Sequence, residues 1–224
     1  KDTITASGNI ATNRNNITFN APVTLGNNLS VNILETGDIT FKSTVDGPYS
    51  LTVQPQTGIV QFGGAVGSFN RLNSVNIQGN IPTKSAEINI AATNNITAQN
   101  ITSPAGIYLF SDKGEIATGN LDATSPNNGG NIDLNAGTKI TTGDINTSAF
   151  NRGGNIFFDA NGNITAGKID SSSSGDGGDV SIINRNSSGN TIVNLISAQS
   201  MVSGTGGDVF IRGQRFFRST GSLI

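Results

Sequence analysis

Three consecutive stretches of this chain carry the same residue types at the same places: IATGNLDATSPNNGGNIDLNAGTK from Ile116, ITTGDINTSAFNRGGNIFFDANGN from Ile140 and ITAGKIDSSSSGDGGDVSIINRNS from Ile164. The period is constant, since 140 − 116 and 164 − 140 both give 24. Ile116, Ile140 and Ile164 therefore align, as do Leu121, Ile145 and Ile169, then Gly119, Gly143 and Gly167. The Gly-Gly pairs at 129-130, 153-154 and 177-178 follow, with Ile132/Ile156/Val180 and Leu134/Phe158/Ile182 behind them. A fixed period of this length marks a repeat architecture. One unit cannot bury its apolar face alone, and stacked units build a shared core one coil at a time.

Inside each unit the apolar residues alternate over short stretches such as Asn131-Ile132-Asp133-Leu134-Asn135, a period of two that reads as strand. Between the strands lie Gly, Asn, Ser and Asp, the residues that accept tight or left-handed turns. Helix is disfavoured, because 29 glycines and only 12% charged residues leave few good helix formers. The N-terminal part carries a related unit: ITFNAPVTLGNNLSV from Ile17, ITFKSTVDGPYSLTV from Ile39 and VQFGGAVGSFNRLNSV from Val60, at spacings of 22 and 21. Phe19, Phe41 and Phe62 align there as a predicted stack of offset rings, followed by Val23/Val45/Val66 and Leu29/Leu51/Leu72.

The expectation is an all-β, right-handed parallel β-helix (β-solenoid) with no significant α-helix, forming a single segment over residues 1–224. Positions 1–75 hold Phe-ladder coils with a period of about 21–22, 76–115 irregular shorter coils, and 116–224 the Gly-Gly coils with a period of about 24. Ile96 and Ile101 keep the five-residue offset of Ile116 and Leu121. Gly206-Gly207 trails Gly177-Gly178 by 29, which predicts a five-residue insertion as a loop near 183–191. About nine or ten coils of 20–29 residues, stacked at about 4.8 Å, make a rod on the order of 45 Å long. At about 3.3 Å per residue, a coil of the longer period has a perimeter of about 80 Å, enough for three short sides.

Composition closes off several functions. A net charge of −2 and a pI near 5.0 give no field to gather nucleic acid or anionic membrane. No Cys and no His leaves no disulfide scaffold, no thiolate or imidazole metal site and no imidazole base. No apolar run reaches the roughly 18–20 residues of a membrane helix, so membrane insertion is not expected. The chain begins mid-pattern and reads as a fragment of something longer.

Few motifs invite chemistry. Gly175-Asp176-Gly177-Gly178-Asp179 and Gly204-Thr205-Gly206-Gly207-Asp208 look like calcium-binding turns, which makes Asp176, Asp179 and Asp208 weak calcium candidates. Nine-residue repetition is absent and the equivalent turns end in Asn131 and Asn155, so a structural turn is expected and no cofactor. The Gly-rich strings at Gly129 and Gly153 lack the Gly-Lys-Ser/Thr of a phosphate loop; glycine there serves a positive φ or a close approach of coils. Asn95, Asn131, Asn155 and Asn163 sit where an amide bonds along the stack to the amide of the next coil. Asn-Ile-Thr at 16, 95, 100 and 163 fits the glycosylation consensus only because a corner Asn precedes a core Ile. Asp133, Asp159, Asp170, Asp176 and Asp179 supply no acidic pair with a basic partner at adjacent aligned positions, so no catalytic residue is assigned and no enzyme is expected. Arg212, Arg215 and Arg218 with Phe216 and Phe217 read as the start of another coil. A flat Thr-x-Thr ice-binding face is begun by Thr3/Thr5 and not continued. Ligand contact is expected from loops at 46–50, 111–113 and 184–190.

The strings GDITFKSTVDGPYSLTV, VQFGGAVGSFNRLNSVNI and NITAGKIDSSSSGDGGDVSI resemble the haemagglutinin-like repeats of large bacterial exoproteins exported by two-partner secretion, the filamentous haemagglutinin or adhesin type. The resemblance spans nearly the whole chain but lacks that family's Asn-Pro-rich secretion domain. It implies a right-handed β-helix that is secreted or displayed at the cell surface. It also implies an outer-membrane transporter as partner during export, and an adhesive or aggregative role toward a glycan or protein on a host or neighbouring cell. A carbohydrate-binding or carbohydrate-cleaving β-helix is the alternative.

Overall fold

The computed structural model describes residues 2–83 and 86–218. These form a parallel β-solenoid of about nine turns, without helix. At about 4.8 Å per coil that is a rod roughly 43 Å long. Each turn passes three faces in a fixed order. Face B carries Ile17–Phe19, Ile39–Phe41, Val60–Phe62, Ile81–Pro82, Ile101–Thr102, Leu121–Asp122 and Ile145–Asn146. Face C carries Ile88–Ala92, Gly106–Ser111, Asn131–Ala136, Ile156–Ala160, Val180–Asn184 and Val209–Arg212. Face A carries Leu51–Gln54, Val75–Ile77, Ile96–Ala98, Ile116–Ala117 and Ile140–Thr141. Long strands such as Val23–Ile33 and Ile164–Asp170 run across two faces without a break.

Like side chains pile up because every pairing is parallel and in register. On face A, Leu29, Leu51, Val75, Ile96, Ile116, Ile140 and Ile164 are successive partners. On face B the column is Ile81, Ile101, Leu121, Ile145, Ile169 and Ile196. Face C stacks Val23, Val45, Val66, Ile90, Leu109, Leu134, Phe158 and Ile182. All of these residues are buried. Burying each removes one Leu- or Ile-sized apolar surface from water, about 1.5–3 kcal/mol before conformational entropy is counted. Phe19, Phe41 and Phe62 form the predicted stack, with centroids 4.6 and 5.3 Å apart and planes within 2° and 11°. These separations lie in the offset-stacking range.

Two alignments read from spacing differ in the structure. Leu51 pairs with Val75, whereas Leu72 bridges Ala92 one face earlier. The turn after Val66 opens with Gly67 at φ +75 and adds three residues, since 75 − 51 is 24 where 60 − 39 is 21. The five-residue insertion is also split. Ile164 pairs with Thr191, a step of 27, and Val180 with Val209, a step of 29. Three residues therefore enter between Asn184 and Asn190 and two more between Ser200 and Val209. From Val75 to Leu121 the coils shorten, with a step of 21 from Val75 to Ile96 and of 20 from Ile96 to Ile116, and keep their register. Arg215–Arg218 pairs with Asn190–Val193 and so begins another coil.

A second interaction locks coil to coil at the turns. The side-chain oxygen of an Asn or Asp in one coil accepts the backbone N–H of the equivalent residue in the next. Asn100 accepts Asn120 N–H at 2.8 Å, Asn120 accepts Asp144 N–H at 2.9 Å, and Asp144 accepts Lys168 N–H at 2.8 Å. The residue before each of these donors is glycine, and the reason is steric. A Cβ at Gly119, Gly143 or Gly167 would lie 2.4, 2.2 and 2.2 Å from those oxygens. The Gly-Gly pairs are likewise close approaches rather than positive-φ positions: a Cβ at Gly154 would sit 2.1 Å from Gly130 O.

Side-chain amide to side-chain amide bonding, expected for the Asn residues, occurs among the described residues only at the outer positions Asn32–Asn9 and Asn94–Asn73. Elsewhere the backbone N–H at the turn has no strand partner and takes the oxygen first. Only an acceptor is needed, so Asn and Asp interchange. Asp144→Asn is expected to shift urea-unfolding stability by less than about 0.5 kcal/mol, and Asp144→Ala to cost about 1 kcal/mol. Gly143→Val is expected to cost about 1–3 kcal/mol or more by overpacking. Equal losses for Asp144→Asn and Asp144→Ala would refute the acceptor role.

Candidate functional site

The calcium candidates belong to this ladder. Asn131 accepts Asn155 N–H, Asn155 accepts Asp179 N–H, and Asp179 accepts Asp208 N–H at 2.9 Å. Asp176 accepts Thr205 N–H at 2.9 Å. The Asp176 and Asp179 carboxylates each face a backbone donor, Asp208 enters the ladder through its N–H, and among the described residues no three His, Cys, Asp or Glu side chains group as metal ligands. The four consensus asparagines do the same work: Asn16, Asn95, Asn100 and Asn163 accept the N–H groups of Asp38, Glu115, Asn120 and Asn190.

The expected ligand loops differ in what they do. Ser111 is buried and donates to Asn94 O at 2.7 Å, and Asp46 accepts Phe69 N–H at 2.9 Å, so both serve the stack. The loop at 184–190 turns around buried Asn184, whose oxygen accepts Asn186 N–H at 3.1 Å, and projects Arg185 back onto face C. The larger excursions lie at the corner between faces B and C, in residues 123–130, 147–154, 171–178 and 198–207. Two of them show how the base is closed: Gly154 N–H reaches Thr147 O at 2.9 Å and Gly178 N–H reaches Ser171 O at 2.8 Å. The Thr147 and Ser171 hydroxyls add 2.7 Å bonds to Gly154 O and Gly178 O. The tips bridge one another through Ser125, Ala149, Ser173 and Ser200 and present exposed Phe150, Met201 and Val202.

Beside that ridge, the outward side of face C carries aromatic, acidic, amide and basic side chains. One row along the axis reads Asn89, Tyr108, Asp133, Phe157, Ser181, Phe210. The parallel row reads Ala91, Phe110, Asn135, Asp159, Ile183, Arg212. Tyr108 lies back against Gly106, where a Cβ would meet its ring at 2.9 Å, so glycine leaves room for the ring. Arg71 covers Phe110, its guanidinium carbon 4.2 Å from the ring centroid. A depression of about 190 Å³ opens between Asn89, Tyr108, Phe110, Asp133 and Asn135.

The acidic pair with a basic partner that adjacent aligned positions do not supply occurs here on a diagonal. Asp159 is buried and gripped by both the Nε and Nη2 of Arg185, and Asp133 sits close enough to feel its charge. The two carboxylates occupy a diagonal, one strand over and two residues along. Comparison of aligned positions misses such a neighbour. Burial, then the charge of Asp159, holds the Asp133 carboxyl above the ordinary carboxylate range. Burial and the charge of Glu87 push the Tyr108 hydroxyl up; a hydrogen bond with Asn131 opposes this and Asp133 adds to it. On face B, burial would raise the Asp170 carboxyl, but hydrogen bonds from Lys168 and Ser172 outweigh it and hold it low. No protein family, curated protein or solved structure matches this chain.

The surface thus offers partly exposed aromatic rings, one half-buried carboxylate and several amides: equipment for binding polar molecules with apolar faces. The sign of its pH dependence follows from the raised Asp133. Its folded-state pKa lies above the unfolded value, so ionisation opposes folding, and stability falls as pH rises through that range. Asp133→Asn is expected to raise stability at pH 7 in urea unfolding and to have no effect near pH 3, where the native carboxyl is protonated. Asp170→Asn should do the reverse, costing stability at pH 7 and little at pH 3. A destabilised Asp133→Asn at pH 7 would contradict the assignment.

Proposed function

We propose that this chain is a stretch of the structural and adhesive shaft of a secreted or surface-displayed bacterial exoprotein, mediating adhesion or aggregation. The observation that carries the proposal is the in-register stacking of three apolar columns, six to eight residues deep, within a solenoid of about nine turns. Such a stack holds a binding surface at a set distance, a role in which length and stiffness matter more than any one residue. The resemblance to haemagglutinin-like repeats supports the same reading, and with it export through an outer-membrane transporter. Parallel, register-locked coils also suit a chain that folds turn upon turn as it emerges from such a pore.

The partner in this reading is a glycan or protein on a host or neighbouring cell, not nucleic acid, and the chain does not insert into the bilayer. Catalysis is not part of the proposal. Carbohydrate cleavage by paired carboxylates requires two that reach substrate, and Asp159 is occupied by Arg185.

Beads coated with the chain are expected to attach under shear to bacterial or epithelial cells well above albumin-coated beads, and to lose attachment once the chain is unfolded. They should release no new reducing ends from a panel of polysaccharides. Attachment no greater than albumin would overturn the adhesive reading; turnover would replace it with the enzymatic alternative.

A further inference from the structure

We infer that the outward row of face C is a binding track for a linear, uncharged polysaccharide lying parallel to the rod axis, with sugar rings stacked on Tyr108, Phe157 and Phe210. The inference deepens the adhesive reading and rests on it only for its biological setting. Its first support is a spacing. Tyr108, Asp133, Phe157, Ser181 and Phe210 are successive partners across five strands, so aromatic and polar side chains alternate coil by coil. Two coils separate each ring from the next, about 10 Å, which matches the length of two pyranose units joined through equatorial bonds. A straight chain of this kind advances one sugar per coil and presents an apolar ring face to every second strand.

The second support is that these rings are free to receive a ligand. Among the described residues the ring-on-ring pairs are those of the buried Phe19, Phe41 and Phe62, so the row is not consumed by contacts within itself. Phe210 is 55% exposed, and Tyr108, which rests against Gly106, and Phe157 are each partly exposed. Phe110, in the neighbouring row, is by contrast already covered by Arg71.

Charge decides the class of polysaccharide. No Lys or Arg among the described residues pairs with Asp133, which lies between two of the rings, whereas the charge of nearby Asp159 is matched by Arg185. An unpaired, half-buried carboxylate accepts hydrogen bonds from sugar hydroxyls and repels an anionic chain. Ser181, at the next polar position, can donate or accept.

The test uses four hexasaccharides with the intact chain, followed by saturation-transfer NMR and calorimetry: cellohexaose and chitohexaose, both equatorially linked and neutral; maltohexaose, axially linked and coiled; and hexagalacturonate, anionic. At least one of the first two is expected to bind, with maltohexaose and hexagalacturonate at least tenfold weaker. Phe157→Ser and Phe210→Ser should each weaken binding about fivefold or more, and Asp133→Asn should weaken it severalfold. Thermal unfolding checks each variant, and should Phe157→Ser fail to fold, the exposed Phe210→Ser decides. No binding of either neutral hexamer at millimolar concentration overturns the track, as does binding indifferent to the ring variants or equal affinity for all four sugars. Bead attachment separates the two readings: beads that attach without hexamer binding refute the track alone, and hexamer binding without attachment refutes the adhesive role alone.

Discussion

Every feature of this rod depends on one constraint, the closure of each coil onto the one before it through parallel backbone pairing and the Asn or Asp oxygens that bond across the turns. A coil has no core of its own. Ile140 is buried because Ile116 lies on one side of it and Ile164 on the other. The strands on faces A and B are often only two residues long, Ile116–Ala117 and Leu121–Asp122 for instance, too short to hold register by pairing alone. The acceptor at the turn between them supplies the missing constraint, and the glycine before the donor leaves room for that acceptor. Gly119-Asn120, Gly143-Asp144 and Gly167-Lys168 are therefore paired choices, one residue making space and its neighbour supplying the N–H.

The same physics explains what could be read from the chain and what could not. Where coil length is constant, spacing is register, and Ile116, Ile140 and Ile164 stood out as a column. Where a turn grows, apolar residues slide past one another. Leu72 shares the spacing of Leu29 and Leu51 yet belongs beside Ala92, because the corner after Val66 takes the extra residues. The loop near 183–191 was legible as a count of five, but its division between two corners depends on which turns tolerate insertion. The strands between hold their pairing, so neither corner takes all five.

The outward side of face C was the least legible part. Tyr108 and Phe157 stand 49 positions apart and Phe157 and Phe210 53, so no fixed period links them, although strand pairing sets them in one row. Asp133 and Asp159 were each visible as carboxylates, but their diagonal placement depends on strand pairing and the grip of Arg185 on the loop that returns to the sheet. Core columns repeat because stacking demands it. Outward positions are released from that demand and vary, so a ligand surface appears as an interruption of the repeat. The corner ridge with Phe150, Met201 and Val202 obeys the same logic, its glycine base repeated and its tip different from coil to coil.

The central claim is that residues one turn apart lie one strand spacing apart along a common axis. The chain has no cysteine, so paired spin labels can be placed without background. Thr165, Thr52, Ser30 and Asn9 occupy one outward column of face A, five, six and seven coils apart when counted from Thr165. Pulsed electron paramagnetic resonance between a label at Thr165 and labels at Thr52, Ser30 and Asn9 in turn should give distances of about 24, 29 and 34 Å, rising by about 4.8 Å per coil. Distances that fail to increase in that order, or that scatter broadly, would contradict the stacked-coil account and everything built on it.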